Sequence, residues 1–216
     1  MSLTLKEAKE ITGGLSVPSK MPGYSYGIPA QACKTGSKLV GVKGSVCEHC
    51  YALDRGFYQM PVVKNAQQRR LNALSHPRWV EAMVFLIDHY TDKNDPYFRW
   101  HDSGDLQSIE HLRDICEVAK LTPHVKHWLP TREYKIVYDY IQKGGTLPTN
   151  VVIRLSATMV DSRLTTSILS LPTSMVSREK RDPTAYDCPA RSQGNECKKC
   201  RACWDPSVSC VSYSSH

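Results

Sequence analysis

The middle third of the sequence alternates between strand-like and helix-like segments, and this alternation restricts the fold more than any other feature. The strand-like segments are YFRWH (97–101), VKHWL (125–129) and VVIRLSA (151–157). Apolar residues at helical spacing follow the first strand, and REYKIVYDYIQKGG, which ends at a glycine pair, follows the second. Strands and helices in this order, with short connections, predict a parallel sheet with right-handed crossovers.

The length of the chain limits how many such units it can hold. A complete barrel of eight strand–helix units needs about 250 residues, and this chain has 216. We therefore predict an α/β fold with a partial or reduced TIM-like barrel. Beyond residue 175 the periodicity is lost and cysteines dominate. We expect residues 1–175 to form the α/β core domain with an N-terminal cysteine loop. Residues 176–216 are expected to form a cysteine-rich tail that packs on the core and is held mainly by its metal.

The composition points to a cytoplasmic protein. Apolar residues make up 41% and charged residues 23% of the chain, as is ordinary for a globular protein. No apolar run approaches the ~20 residues that span a membrane, and the charged N-terminus lacks the pattern of a signal peptide. Thiols stay reduced in the cytosol, so dense cysteines there indicate metal binding more often than disulfides. The odd number of cysteines, nine, agrees with this interpretation.

Seven of the nine cysteines fall into two groups near opposite ends of the chain. The first group is Cys33, Cys47 and Cys50, and the second is Cys188, Cys197, Cys200 and Cys203. The second contains CKKCRAC, a C-x2-C-x2-C run of the kind that iron–sulfur sites use with a distant fourth ligand. Three ligands from the first group would leave one iron open to a substrate. We predict one or two iron–sulfur clusters, of the 4Fe–4S type, bound by these seven thiols.

Zinc is the alternative metal, because paired C-x2-C units with a long separation also describe structural zinc sites. A zinc ion needs four of the seven thiols and explains the three-cysteine run less naturally. Spacing and ligand softness therefore favour iron–sulfur.

Each predicted strand ends in polar residues. The first runs into His101 and Asp102, the second into Arg132, and the third into Ser156. Because ligands of parallel α/β folds bind at the carboxyl ends of the strands, three such endings predict a shared site. His101 and Asp102 could act as an acid/base pair, and Arg132 could clamp a carboxylate or phosphate. The alternative is a purely structural role, in which these residues cap and flank helices.

The net charge of +7 raises the question of nucleic-acid binding. The basic residues are spread along the chain, several flank the cysteines, and no recognition motif accompanies them. Cationic neighbours also favour thiolates and offset the charge of a thiolate-ligated cluster. Nucleic acid is therefore a weaker partner prediction than a small-molecule substrate, whose identity the sequence does not give.

Seven blocks of sequence together resemble the phage "gene product 88" domain family. They are MPGYSYGIPAQACKTGSKL, GSVCEHCYA, NAQQRRLNAL, HPRWVEAM, FRWHDSGDLQS, HWLPTREY and NECKKCRACWDPSV, and they cover nearly the whole chain. The resemblance implies a phage-associated protein acting in the cytoplasm of an infected or prophage-bearing cell. It implies no particular activity.

A more distant likeness is to radical S-adenosylmethionine enzymes, in which three cysteines after the first strand of a partial barrel bind a cluster with one open iron. Cys47, Cys50 and Tyr51 look similar to the end of that motif, and the tail looks similar to an auxiliary-cluster extension. The superfamily usually has C-x3-C-x2-C, whereas Cys33 precedes Cys47 by fourteen positions. Binding of S-adenosylmethionine therefore does not follow from the likeness.

Two functions remain open on this evidence. The first is an enzyme that uses its cluster near His101, Asp102 and Arg132, by radical chemistry like that of S-adenosylmethionine enzymes or by Lewis-acid hydrolysis. The second is a module without catalysis, stapled by zinc or a cluster, that binds nucleic acid or a host protein.

Overall fold

A computed structural model describes residues 3–164, 169–178 and 182–215. In this part of the chain seven strands form one parallel sheet, in the order β1-β2-β3-β4-β5-β7-β6. The sheet does not close on itself. The strands are β1 (Tyr24–Tyr26), β2 (Tyr97–Trp100), β3 (Lys126–Thr131), β4 (Val151–Ser156), β5 (Thr173–Ser177), β6 (Tyr186–Asp187) and β7 (Cys210–Ser214).

The α-helices of the described residues lie mostly before β2 and in the crossovers that follow it. They are α1 (Leu5–Thr12), α2 (Lys34–Leu39), α3 (Tyr51–Asp54), α4 (Pro61–Ala73), α5 (Trp79–Tyr90), α6 (Ile109–Leu121) and α7 (Tyr134–Gln142). Local sequence sets several of their ends. Thr4 and Glu7 form a reciprocal capping box on α1, and the Ser108 hydroxyl caps α6 by accepting from the His111 amide at 3.1 Å.

The main hydrophobic core lies between the helices and one face of the sheet. Phe98 and Trp100 of β2 face this core together with apolar residues of α5, α6 and α7. Because side chains alternate along a strand, Tyr97 and Arg99 face the opposite side. The single large core explains why the apolar helix stripes are visible in the sequence.

The C-terminal region covers the opposite face of the sheet. Trp128 of β3 packs there against Trp204, with ring centroids 5.1 Å apart, and Val211 of β7 completes this smaller cluster. Trp204 Nε1 also donates to the Phe98 carbonyl oxygen at 2.9 Å. The sheet is therefore sandwiched between the helices and the cysteine-bearing segment.

The structure confirms the parallel α/β class and all three predicted strands. It adds strands in the parts that lack periodicity: the N-terminal region that carries the first cysteines contains β1 and α2, and residues beyond 175 contribute β6, β7 and part of β5. The tail thus extends the sheet, in addition to any contribution from metal. The partial or reduced barrel stays a prediction. In the described residues no helix combines the length and apolar character needed to cross a bilayer.

Candidate functional site

A cavity of about 510 Å³ opens at the carboxyl edge of the sheet. Residues at the ends of β2, β3, β4, β5 and β7 line its floor, and the loop that carries the first cysteine group lines its rim. The carboxyl edge is where ligands of parallel sheets bind. The predicted site residues Asp102, Arg132, Cys33, Cys47 and Cys50 all line this cavity.

Cys33 is held in place by the end of β3. It follows a 3₁₀ turn (Ala30–Ala32) and directly precedes α2. The buried Glu133 carboxylate accepts from the Lys34 amide at 3.1 Å and from the Thr35 amide at 2.7 Å, and from the Thr35 hydroxyl at 2.9 Å. Glu133 lies between the end of β3 and the start of α7, so these hydrogen bonds connect the cysteine loop to the sheet.

Two further anchors hold Cys47 and Cys50. The Val46 amide, one residue before Cys47, donates to the Thr158 carbonyl oxygen beyond β4 at 2.9 Å. Cys50 directly precedes α3, and the Tyr51 hydroxyl of that helix donates to the Asp102 carbonyl oxygen beyond β2 at 3.3 Å. The loop is thus fastened to the ends of three neighbouring strands.

The three thiols of the first group share one environment. A methyl group added at Gly36 would lie 3.7 Å from Sγ of Cys33 and 3.7 Å from Sγ of Cys47, so both sulfur atoms flank this glycine. Burial raises the pKa of the Cys33 thiol, and the negative charges of Asp105, Cys50 and Cys47 raise it further. Burial also raises the pKa of Cys47, which the positive charge of Arg132 opposes. Without a bound cation the Cys33 and Cys47 thiols stay protonated at neutral pH.

The end of β2 turns sharply at His101, whose φ of 55° is unusual for a non-glycine residue. The His101 ring is buried, and neither of its nitrogens has a hydrogen-bond partner among the residues that the structure describes. Burial lowers the pKa of His101 well below its usual value, so the imidazole is neutral. Its ring packs 5.3 Å from that of His111, on the core side of the sheet edge.

Asp102 follows this turn and lines the cavity. Within the described residues, Asp102 Oδ1 is buried and has no hydrogen-bond partner. A Cβ atom at position 27 would lie 1.9 Å from this oxygen, which explains why the residue there is glycine. Burial raises the pKa of the Asp102 carboxyl, and the charges of Arg99 and Arg70 oppose that rise.

Asp105 holds the end of β3 and does not cap a helix. Its Oδ1 accepts from the Thr131 hydroxyl at 2.6 Å, and its Oδ2 accepts from the Arg132 amide at 2.9 Å. Burial raises the pKa of Asp105 to about 6. The Arg132 guanidinium donates through Nε to the Ala157 carbonyl oxygen at 3.2 Å, a bond that leaves both terminal nitrogens for other partners.

The second cysteine group lies on the tail, against the sheet face that bears Trp128. Cys203 is buried and its Sγ lies 3.1 Å from the Tyr213 hydroxyl, while Sγ of Cys200 lies 3.5 Å from the Tyr186 hydroxyl. Burial raises the pKa of Cys203 to about 12, and the charges of Cys188 and Cys197 raise it as well. The four thiols of this group are therefore electrostatic neighbours of one another.

All nine cysteines lie in the described residues and are free thiols. Within the same residues no three Cys, His, Asp or Glu side chains converge closely enough to hold one metal ion. The chemistry of the donor sets nevertheless fits a soft metal. Each group offers three or four sulfur ligands in a partly buried setting, where a bound cation would compensate the thiolate charges.

Sequence reasoning missed two cavity residues, Arg99 and Tyr213. Arg99 belongs to β2, and its guanidinium stacks on Trp128 at 4.5 Å from the ring centroid. A charged residue between Phe98 and Trp100 in an apolar strand is the signal that could have revealed it. Tyr213 lies on β7, whose polar sequence gave no strand signal. It connects the cavity to Cys203 of the second group.

Fold and site together define an α/β protein with a parallel sheet and a thiol-lined cavity at its carboxyl edge. The chain belongs to the Gene product 88 family, whose model matches residues 1–206. This match confirms the resemblance carried by the sequence blocks. No curated protein matches the chain. No solved structure matches it either, so the likeness to radical S-adenosylmethionine enzymes gains no support.

Proposed function

We propose that this phage-associated protein is an enzyme of the host-cell cytoplasm, in which an iron–sulfur cluster bound by Cys33, Cys47 and Cys50 faces a substrate cavity. One observation carries the proposal: the three thiols line the same cavity as the polar residues at the strand ends. A buried structural metal would not need a cavity beside it. The volume of this cavity, about 510 Å³, suits a small molecule.

Three protein ligands leave one iron open. A cluster bound there would supply Lewis-acid activation of a substrate oxygen or water, or one-electron chemistry with S-adenosylmethionine. Asp102 is the group proposed for proton transfer. Burial raises the pKa of its carboxyl, and a raised pKa suits an acid or base that works near neutral pH.

Arg132 is proposed to bind and orient the substrate, because its terminal nitrogens are left for the cavity and guanidinium binds oxyanions in a fixed geometry. His101 is proposed as a positioning residue. Its ring nitrogens are enclosed, but its left-handed backbone turns the chain so that Asp102 lines the cavity.

Metal analysis tests the proposal. The protein is purified anaerobically, its iron, sulfide and zinc are quantified, and its visible and electron paramagnetic resonance spectra are recorded. Cys47→Ser should lose the iron of the first group, whereas Cys116→Ala, a buried cysteine in neither group, should keep all of it. A colourless protein with stoichiometric zinc would refute the cluster.

A second measurement distinguishes the two reaction types. The iron-loaded protein is incubated with a reductant and S-adenosylmethionine, and 5′-deoxyadenosine is quantified. Formation of this product, with its loss in Cys47→Ser, supports the radical version. Its absence from an iron-loaded protein leaves Lewis-acid hydrolysis as the proposed reaction.

A zinc- or cluster-stapled module without catalysis is the second candidate. The arrangement of the tail favours it, because Cys203 packs in a small cluster with Trp128 and Trp204 that a bound metal would stabilise. In that case zinc fills the second group, the first group holds no iron, and the basic surface binds nucleic acid or a host protein. The same metal analysis separates the two candidates, and a gel-shift titration with single- and double-stranded DNA tests the partner.

A further inference from the structure

Arg99 is a partly buried guanidinium with unmet donors. Within the described residues its Nε is buried without a hydrogen-bond partner. Its terminal nitrogens contact Met21 Sδ at 3.5 Å and, at the long distance of 3.4 Å, the His101 carbonyl oxygen. Buried donors are nearly always satisfied in folded proteins, so a group like this in a cavity wall calls for a ligand.

Arg132 supplies a second guanidinium from the neighbouring strand. Arg99, Arg132 and Tyr51 all line the cavity. About half of the Tyr51 surface is open to solvent, so it is the hydroxyl end that lies among these groups. Two guanidinium groups and one hydroxyl therefore lie around one part of the cavity.

In the described residues neither nearby carboxylate forms a hydrogen bond to the guanidinium of Arg99 or Arg132. Asp105 accepts three hydrogen bonds from other protein donors, from Thr131, the Arg132 amide and Leu106. Asp102 interacts electrostatically with Arg99 and Arg70, and its Oδ1 is enclosed against Gly27. The donors of Arg99 and Arg132 remain for an anion.

We propose that the cavity binds a small molecule through a phosphate group held by Arg99 and Arg132, with the Tyr51 hydroxyl as a further donor once its hydrogen turns away from the Asp102 carbonyl oxygen, which lies 3.3 Å away. A phosphate has enough oxygen atoms to engage two guanidinium groups at once, whereas one bidentate arginine satisfies a carboxylate. This inference rests on the proposed function, because the first cysteine group faces the same cavity, and it names the substrate class as an organic phosphate.

Calorimetric titration of the full chain with phenyl phosphate tests the assignment, and phthalate, a dicarboxylate of similar size, serves as the second probe. We expect phenyl phosphate to bind saturably. Arg99→Gln and Arg132→Gln should each weaken its binding about tenfold, the loss of one charge-assisted contact. Arg113→Gln, an exposed arginine on α6, should leave the affinity unchanged.

Tyr51→Phe keeps the aromatic ring and does not alter the charge of the cavity. It should weaken the binding of phenyl phosphate by a smaller factor than either arginine substitution does. Circular dichroism confirms that each variant folds. Binding that is absent, or that none of the three substitutions alters, would overturn the inference. Stronger arginine-dependent binding of phthalate than of phenyl phosphate would overturn it too. Iron measured in the same samples keeps the proposals distinct, since a protein can hold iron without binding phosphate, or the reverse.

Discussion

At the scale of single residues, Glu133 explains how the loop that carries Cys33 is held at the cavity. Its buried carboxylate accepts three hydrogen bonds from Lys34 and Thr35, immediately after Cys33. A carboxylate is well suited to this position, because it accepts several donors at once and favours the first turn of a helix. The position of Cys33 therefore depends on a residue about a hundred positions away in sequence.

Glu133→Ala should destabilise the protein by about 2 kcal/mol, because it leaves two partly buried amide donors and a hydroxyl without their partner. It should also lower the iron bound by the first cysteine group and leave that of the second group intact. Chemical denaturation and metal analysis measure the two effects. The control is Glu117→Ala, an exposed glutamate on α6. Equal stability of wild type and Glu133→Ala would contradict the role assigned to this carboxylate.

The sequence reveals some of the important residues and conceals others. Asp102, Arg132 and the seven grouped cysteines are visible as polar strand endings and regular spacings, and most of these line the cavity. Arg99 and Arg154 are hidden because each lies inside an apolar strand pattern. In the structure both lie on the face opposite the main core, and the tail packs against that face.

At the scale of elements, Arg154 of β4 joins the tail to the sheet. This fully buried guanidinium donates to the carbonyl oxygens of Thr173 and Val208 at 2.9 Å each, of Ala202 at 3.1 Å and of Asp205 at 3.2 Å. Four carbonyl groups, two of them buried and two partly buried, thus depend on one side chain. These contacts hold the tail independently of any metal that the four cysteines bind.

Arg154→Met should release the tail. We expect a loss of about 3–5 kcal/mol of stability, as when one partner of a buried polar network is removed. Trypsin should then cut at Lys198 or Lys199 at least about tenfold faster, which mass spectrometry of timed digests can follow. Arg191→Met removes an exposed tail arginine with a single carbonyl contact and serves as the control. Unchanged cleavage in Arg154→Met would show that metal alone holds the tail.

The packing of β3 against α6 makes stability depend on pH through His127. Its ring is buried, with Nδ1 3.3 Å from Trp100 Nε1 and Nε2 2.9 Å from the Thr122 hydroxyl. Burial lowers the pKa of His127 from 6.5 to about 3. The unfolded chain therefore takes up a proton below pH 6.5 that the folded protein does not. The stability is complete above pH 6.5 and declines as the pH falls towards 3.

This group should cost about 2 kcal/mol of stability at pH 5 relative to pH 8. His127→Gln removes the titration, so its free energy of unfolding should fall less between these two values than that of the wild type. Urea denaturation at both pH values measures the difference. His124→Gln, an exposed histidine three residues earlier, should behave as the wild type does. Parallel curves for the wild type and His127→Gln would contradict the prediction.

At the scale of the whole molecule, the two cysteine groups occupy different places around one sheet. The first covers the carboxyl edge, and the second covers the face that bears Trp128. The charges that act most on the thiols of each group come from the same group or from its own surroundings. Tyr213, which lines the cavity and contacts Cys203, is one residue that joins the two regions.

If the groups form separate centres, their metal contents should be additive. Cys47→Ser should lose only the metal of the first group and Cys200→Ser only that of the second, and the double variant should lose both. Elemental analysis of the three variants, with Cys116→Ala as the control, gives the answer. Loss of all metal in each single variant would instead indicate one shared centre.

The sequence predicts the centre of this fold better than its edges. β2, β3 and β4 are visible because they are apolar, and helices with apolar stripes separate them. β1 and β6 have only three and two residues, and Ser, Thr or Tyr interrupts any apolar pattern in β5 and β7. Their strand structure comes from backbone pairing with neighbours distant in the chain, which a local pattern does not encode.

The strand order at the far edge of the sheet also governs how the protein matures. β6 pairs with β7 and not with β5, although it precedes β7 in the chain, and all four cysteines of the second group lie between β6 and β7. β6 therefore cannot join the sheet until β7 has docked. During that interval the four intervening thiols belong to a loop that the sheet has not yet closed. If these thiols bind a metal, they are most accessible to it then, because Cys203 is buried in the complete fold and the other three are partly buried.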